Sequence, residues 1–167
     1  EAMDPKLEQR FGSLAMAAVG QDQTFELGNE NLTVQFTSRG GTPYVALLPK
    51  YNRYGTEEPV TLWEPDQSEV SVLFDFNEVN RPLSLNEFHF EVERQTKEAL
   101  VLVASNDAGK SIRWQHTLIG NSLDSDLSFE GFGYDLGDEF ALAWTAQGVT
   151  NEKGLEWERQ HSSIYYK

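Results

Sequence analysis

A double glycine between two apolar segments is the feature that most constrains how this chain folds. Apolar and polar residues alternate from Leu32 to Ser38, Gly40-Gly41 follows Arg39, and a second apolar segment runs from Tyr44 to Leu48. Alternation with a period of two is typical of a strand with one buried face. Adjacent glycines supply the positive φ angles that a tight reversal needs. The sequence therefore predicts a β-hairpin, followed by a tyrosine-rich turn over residues 49–55.

Similar alternation recurs along most of the chain from Thr24 onward. We count about nine to eleven short strand-like segments, separated by turn residues and spaced roughly a dozen residues apart. The segments lie around residues 25–27, 32–38, 44–48, 60–63, 70–76, 88–92, 100–104, 112–118, 127–129 and 140–144. The continuous apolar run from Leu100 to Ala104 is typical of a strand covered on both faces. This spacing predicts an all-β fold, an antiparallel sandwich or barrel.

The two ends of the chain differ from this pattern. Residues 1–22 are rich in alanine, glutamine and acidic residues and lack strand alternation. We therefore predict an arm over 1–22, with at most a short helix around Leu7 to Leu14, and a domain over 23–167. The last run, Gly154 to Lys167, ends without turn or capping chemistry. We expect the domain to be incomplete at this end.

Charge and cysteine content exclude several classes of function. The chain has 13 basic and 27 acidic residues, a formal net charge of −14. Nucleic-acid binding needs clustered lysine and arginine, so this balance argues against it, and also against adsorption to anionic lipid. The chain contains no cysteine, which excludes disulfides and cysteine-ligated metal sites. No apolar stretch approaches the roughly 18 residues of a membrane-spanning helix.

Three histidines and one glycine-lysine motif are the candidates for a chemical site. His89, His116 and His161 do not stand at the spacing of metal ligands. His116 shares a strand face with Trp114, so we predict an inward side chain with a hydrogen-bond partner, whereas His89 should point outward. Gly109-Lys110-Ser111 resembles the end of a phosphate-binding loop but lacks its earlier glycine and its following helix. The sequence predicts no catalytic, cofactor or metal site.

Acidic and tryptophan residues give weaker signals. Alternating acids over 124–130 resemble the start of a calcium loop but lack its glycine, so we predict a solvent-facing strand. Trp114 and Trp144 lie in strand alternation and are predicted core residues. Trp63 and Trp157 are the candidates for a binding role, for example as a sugar-stacking platform. The residues alone do not identify which surface binds a partner.

Five segments in a fixed order carry a resemblance to a known family. They are Gln9 to Ala15, Phe25 to Leu32, Arg39-Gly40-Gly41, Leu48 to Trp63 and Leu155 to Lys167. In this order they resemble the large periplasmic domain of the YidC family of bacterial membrane protein insertases, of the Oxa/Alb type. The resemblance covers nearly the whole chain. It departs from the family at Asn52-Arg53, where Lys-Thr is usual, and at His161, which replaces a common tyrosine.

The resemblance implies both a fold and a function. It implies an antiparallel β-supersandwich, similar to galactose mutarotase, in the periplasm of a Gram-negative bacterium. It also implies a non-catalytic domain without cofactors, which contacts the Sec translocon accessory proteins SecD and SecF as a scaffold or chaperone. Nascent membrane proteins would meet the full-length protein, whose inserting groove lies among transmembrane helices outside this chain. The alternative is a carbohydrate-binding or mutarotase-like β-sandwich module.

Overall fold

Eleven antiparallel strands make up most of the computed structural model, which describes residues 4–161 without the side chains of residues 66, 155 and 157. The strands are β1 Thr24–Gly28, β2 Thr33–Thr37, β3 Pro43–Asn52, β4 Pro59–Trp63, β5 Ser68–Phe76, β6 Pro82–Ser84, β7 Glu91–Gln95, β8 Ala99–Ser105, β9 Ser111–Ile119, β10 Ser122–Glu130 and β11 Leu136–Ala146. The α-helices are α1 Pro5–Phe11 and α2 Leu155–His161, and short 3₁₀ helices span Gly12–Ala18, Pro65–Gln67, Leu85–Glu87 and Gly133–Asp135.

The strands form three sheets, in which most neighbouring strands are also consecutive in the sequence. One sheet has the order β1-β2-β3-β4, a second has β10-β9-β8-β7, and a third has β11-β5-β6. Every strand pair is antiparallel. The predicted all-β antiparallel fold is therefore confirmed, while the mutarotase-like supersandwich arrangement stays a prediction.

The double-glycine hairpin forms between β2 and β3, as predicted. Gly40 and Gly41 have φ angles of 77° and 65°, values that a residue with a Cβ adopts at a cost. A Cβ on Gly40 would also overlap the side chain of Asn86. The strand after the reversal runs as far as Asn52, so the turn predicted over residues 49–55 begins later than expected.

The core is built around phenylalanine side chains from different parts of the chain. The fully buried phenylalanines are Phe36, Phe74, Phe76, Phe88 and Phe90. The rings of Phe74 and Phe88 lie 6.3 Å apart, which joins β5 to the irregular segment before β7. Burying one such side chain stabilises the fold by about 1.5–3 kcal/mol, so this cluster is a major source of the stability of the fold.

The N-terminal segment packs onto the same core. Asp4 caps α1 by accepting a hydrogen bond from the Lys6 amide at 3.0 Å, as side chains at helix N-termini commonly do. Phe11 at the end of α1 and Leu14 in the following 3₁₀ helix are buried. The segment that we predicted as an arm thus contributes to the core, and the boundary at residue 22 stays a prediction.

A cluster of ion pairs holds this segment in place. The Lys110 ammonium lies 2.6 Å from Glu78 and 2.9 Å from Asp135, and Glu78 also accepts hydrogen bonds from the Ser13 amide and hydroxyl. Burial alone would raise the pKa of Glu78, but the hydrogen bonds from Lys110 and Ser13 outweigh it and lower that pKa. Lys110 is therefore part of a structural ion cluster in this fold.

Candidate functional site

An apolar cleft opens between the three sheets and has a volume of about 890 Å³. We use the name apolar cleft for the space lined by Leu32, Val34, Pro43, Ala46, Leu48, Leu62, Trp63, Val70, Val72, Trp114, Asn121, Leu123, Ser125, Leu127, Phe129, Phe140, Leu142 and Trp144. Asn121 and Ser125 supply the polar side chains of this lining. Concave, mostly apolar surfaces of this size are typical of binding sites.

One wall of the apolar cleft is the inner face of β11. Leu142 of β11 lies opposite Val72 of β5, and cross-strand partners project from the same face of a sheet. Val72 is buried, whereas Leu142 is 70% exposed, and Phe140 and Trp144 on the same face are 49% and 60% exposed. The core face of this sheet therefore continues onto β11, where the described elements cover it only in part.

The opposite wall comes from β10. Leu127 lies opposite the buried Trp114 of β9, so the inner face of β10 continues the buried face of its neighbour. The ring of Phe129 in β10 lies 5.2 Å from that of Phe140 in β11. This contact joins the two walls at one end of the apolar cleft.

A tryptophan pair joins β4 to β11 across the apolar cleft. The rings of Trp63 and Trp144 are 5.5 Å apart and nearly perpendicular, a favourable arrangement for aromatic side chains. Trp144 was predicted to be a core residue, and this is wrong, because its side chain faces the open apolar cleft and is 60% exposed. Trp114 is buried as predicted. The binding role of Trp63 stays a prediction, and the side chain of Trp157 lies outside the described residues.

His116 lies behind the apolar cleft with both ring nitrogens hydrogen-bonded. Its Nε2 is 2.8 Å from the Gly41 carbonyl and its Nδ1 is 2.8 Å from the Ser125 hydroxyl. A carbonyl only accepts, so Nε2 carries the proton and Nδ1 accepts from Ser125. Burial lowers the pKa of His116 to about 4, against a weaker opposing effect of the Gly41 hydrogen bond. The inward side chain with a partner is confirmed, and it is neutral at physiological pH.

His89 is placed differently from the prediction. Its side chain is only 10% exposed, and its Nε2 lies 3.1 Å from Asp22. The N-terminal segment covers it, since the His89 amide donates to the Ala17 carbonyl and Gly20 lies against the imidazole ring. The outward orientation predicted for His89 is therefore wrong. Strand alternation could not reveal this, because the covering residues come from a distant part of the sequence.

The segment after β11 closes the edge of β4, which sequence reasoning missed. The Asn151 side chain accepts a hydrogen bond from the Thr61 amide at 3.2 Å and donates to the Thr61 carbonyl at 2.9 Å. Glu158 of α2 in turn accepts from the Asn151 amide at 2.9 Å. The side-chain amide of Asn151 thus takes the place of a neighbouring strand. Nothing in the local sequence signals this long-range pairing.

The described residues hold neither a metal-binding cluster nor a bilayer-spanning helix. Within residues 4–161, no group of three histidine, aspartate or glutamate side chains is placed to hold a metal ion. The same range contains no helix long and apolar enough to cross a bilayer. The alternating residues Asp124, Asp126 and Glu130 are exposed along β10, as predicted for a solvent-facing strand.

Comparisons with known proteins relate the whole chain to one kind of protein. No family model matches the sequence. The chain is 25% identical to the membrane protein insertase YidC of Cytophaga hutchinsonii, over 99% of the chain and 27% of that protein. It is 27% identical to the YidC of Chlorobaculum parvum over 93% of the chain and 28% of that protein. For the YidC of Porphyromonas gingivalis the identity is 24%, over 95% of the chain and 26% of that protein.

The chain matches only part of each of these relatives. In each of the three, nearly all of the chain is matched, and it spans about a quarter of the relative's length. The resemblance seen in the five ordered segments is thereby confirmed, and the chain is similar, over nearly its whole length, to one portion of the membrane protein insertase YidC.

Proposed function

We propose that this chain is a non-catalytic periplasmic domain of a membrane protein insertase, and that it serves as a scaffold for contacts with SecD and SecF. The observation that carries the proposal is the similarity to YidC insertases along 99% of the chain in the Cytophaga hutchinsonii protein. The full-length polypeptide that would contain residues 1–167 is called the parent protein below. In it, nascent membrane proteins would be substrates of the whole insertase.

The structure supports a role in contacts more than a role in chemistry. The apolar cleft has an almost entirely apolar lining, which suits apolar surface or chain segments. His116, which bonds to the cleft residue Ser125, uses both ring nitrogens in structural hydrogen bonds. A mutarotase-like site would need a histidine and a carboxylate free to face one cleft. No observation within the described residues favours the carbohydrate module over the insertase domain.

Removal of the domain from the parent protein tests the scaffold. Residues 4–161 would be replaced by a flexible linker, and SecD and SecF would be quantified in material purified with the affinity-tagged insertase. We expect their recovery to fall to background while the insertion of a simple single-span client protein continues. Unchanged recovery of SecD and SecF would contradict the scaffold role.

A cysteine substitution in the intact parent protein tests the periplasmic placement. Tyr134 is 99% exposed, and the chain contains no cysteine, so a Tyr134→Cys substitution in the parent protein adds one accessible thiol. We expect a membrane-impermeant maleimide to label it in intact spheroplasts. Labelling that requires lysis would place the domain on the other side of the membrane. The parent protein without the substitution supplies the background.

A further inference from the structure

We propose that a basic pocket between α1 and the turn from β5 to β6 binds a phosphate-bearing anion, either an anionic phospholipid headgroup or a soluble phosphate compound. We use the name basic pocket for the concave space of about 390 Å³ lined by Lys6, Gln9, Arg10, Val79, Asn80 and Arg81. It shares no lining residue with the apolar cleft. The inference goes beyond the proposed function, and only the phospholipid source rests on that function.

Two short stretches of sequence supply the lining of the basic pocket. Lys6, Gln9 and Arg10 stand at positions i, i+3 and i+4 of α1, so they share one face of the helix. Glu8 lies two residues from both Lys6 and Arg10, which places it on the opposite face. The second stretch is residues 79–81, in the turn between β5 and β6. Within the described residues, the lining therefore contains three cations and no carboxylate.

The two arginines are held in place by one carboxylate behind the basic pocket. Arg10 Nη2 lies 2.8 Å from Glu87 Oε1, and Arg81 Nη1 lies 2.8 Å from Glu87 Oε2. Glu87 also accepts a hydrogen bond from the Ser84 amide at 3.1 Å, as part of a capping box. Both guanidinium groups lie over the Phe11 ring, 5.0 and 5.4 Å from its centre, a favourable arrangement for a cation. The arginines are thus preorganised before a ligand arrives.

The basic pocket carries more positive charge than its neighbours neutralise. Glu87 is shared between two guanidinium groups, and within residues 4–161 no carboxylate forms an ion pair with the Lys6 ammonium. Three cations and one carboxylate leave a local surplus of two positive charges. Arg10 is 60% exposed, so its remaining N–H groups can reach a ligand. In a chain with a formal net charge of −14, this surplus marks the basic pocket as a site for an anion.

The chemistry of the lining favours phosphate among anions. Planar guanidinium groups donate paired hydrogen bonds to phosphate oxygens, and a lysine ammonium adds a compact charge. A phosphomonoester carries about 1.5–2 negative charges at neutral pH, which matches the surplus. The side-chain amides of Gln9 and Asn80 can bond to hydroxyl groups of the attached glycerol or sugar. The volume of about 390 Å³ leaves room for such a group beside the phosphate.

The negative charge of the whole chain is compatible with this site. At physiological salt, screening weakens interactions between exposed charges that are more than about 8 Å apart. A bound phosphate therefore interacts mainly with the cations beside it. Adsorption of the entire surface to an anionic bilayer stays unfavourable, whereas capture of a single headgroup does not require it. For a domain of a membrane protein insertase, phospholipid headgroups would be the nearest source of phosphate.

Titration of the 167-residue chain with inorganic phosphate, followed by NMR of the backbone amides, tests the basic pocket. We expect saturable shifts concentrated at residues 6–10 and 79–81, and no saturable shift with sodium chloride at equal ionic strength. Lys6→Gln removes the unpaired cation and should weaken phosphate binding at least about threefold. Lys97→Gln is the matched control, because it removes the same charge from an exposed lysine in the turn between β7 and β8. It should leave the affinity unchanged.

Vesicles distinguish the two sources of phosphate. The chain is floated with vesicles of phosphatidylcholine alone and with vesicles of equal parts phosphatidylcholine and phosphatidylglycerol. Binding to the mixed vesicles that K6Q reduces and K97Q does not would assign the basic pocket to a phospholipid headgroup. Binding of inorganic phosphate without binding to either kind of vesicle would assign it to a soluble phosphate compound.

Three results would overturn the proposal. One is the lack of a saturable shift at the basic pocket with phosphate. Another is an equal loss of affinity in K6Q and K97Q, which would show a general effect of net charge. The third is tighter binding of a glutamate-rich peptide than of phosphate, which would assign the basic pocket to an acidic protein segment. None of these measurements involves SecD, SecF or insertion, so failure here is distinguishable from failure of the proposed function.

Discussion

Phe74 and Phe140 are partners in one sheet, yet they lie in different environments. They stand opposite each other on β5 and β11, so their rings project from the same face. Phe74 is 1% exposed and packs in the core, whereas Phe140 is 49% exposed at the rim of the apolar cleft. The difference shows that alternation determines which face a side chain joins, while the elements packed above that face determine whether it is buried.

The edges of β4 and β11 repeat this contrast in their hydrogen bonds. At β4, Asn151 occupies the amide and carbonyl of Thr61 and so acts as a substitute for a strand. At β11, the described residues supply no such cap on the side away from β5. One edge is closed by the chain that follows β11, and the other has no strand beside it within residues 4–161.

The largest expected effect comes from truncating the two phenylalanines in turn. Phe74→Ala should lower the free energy of unfolding by about 3–5 kcal/mol, because it leaves a cavity in a packed core. Phe140→Ala should cost about 1 kcal/mol or less in the isolated chain, since half of that side chain already meets water. Urea denaturation of both variants measures the difference. Equal losses would show that the apolar cleft is closed in solution.

The contrast between Phe74 and Phe140 also shows which structural features the sequence can predict and which it cannot. The hairpin at Gly40-Gly41, the inward face of His116 and most of the strands follow from local pattern and turn chemistry, and the structure has them. The strand predicted around residues 88–92 begins only at Glu91, and β6 was not predicted. The predictions for Trp144 and His89 were wrong because they depend on cover. The open apolar cleft leaves Trp144 without full cover, and residues 17–22 cover His89. The residues that bury a side chain are often far from it in the sequence, and a local pattern does not indicate them.

The candidate site was predictable only in part, for the same reason. The alternation over residues 127–129 and 140–144 predicted strands with one apolar face, but it did not show that these two faces would meet without filling the space between them. The capping role of Asn151 gave no signal, because an asparagine after a strand is as common in a plain turn. Both the open space between the two faces and the contact of Asn151 with Thr61 depend on how distant parts of the chain pack together.

The second largest expected effect is a pH dependence of the free energy of unfolding, which arises from His116 behind the apolar cleft. The pKa of His116 falls from its ordinary 6.5 to about 4 in the fold because of burial. The unfolded chain therefore binds a proton at higher pH than the folded chain does. The stability that the fold gains from a neutral His116 is fully present above pH 6.5 and is lost as the pH falls toward 4. From about pH 7.5 to about pH 5, the free energy of unfolding should fall by about 2 kcal/mol.

Urea denaturation across this range, with His116→Gln as the comparison, checks the assignment. Glutamine keeps polar atoms near Gly41 and Ser125 but does not titrate, so its stability should change much less over the same interval. The carboxyl groups with lowered pKa, Asp22, Glu78 and Glu87, contribute mainly at lower pH. An unchanged slope in H116Q would show that water already reaches His116 from the apolar cleft.

The smallest expected effect concerns the capped edge of β4. Asn151→Ala leaves the amide and carbonyl of Thr61 without their partner, and an unsatisfied, largely buried polar group costs about 1–2 kcal/mol. Thr150→Ala is the matched control, because the backbone carbonyl that Arg53 contacts remains; it should change stability by less than about 0.5 kcal/mol. Hydrogen exchange at the Thr61 amide should accelerate in N151A alone. If the two variants behave alike, water satisfies the β4 edge, and that edge is then as open as the edge of β11.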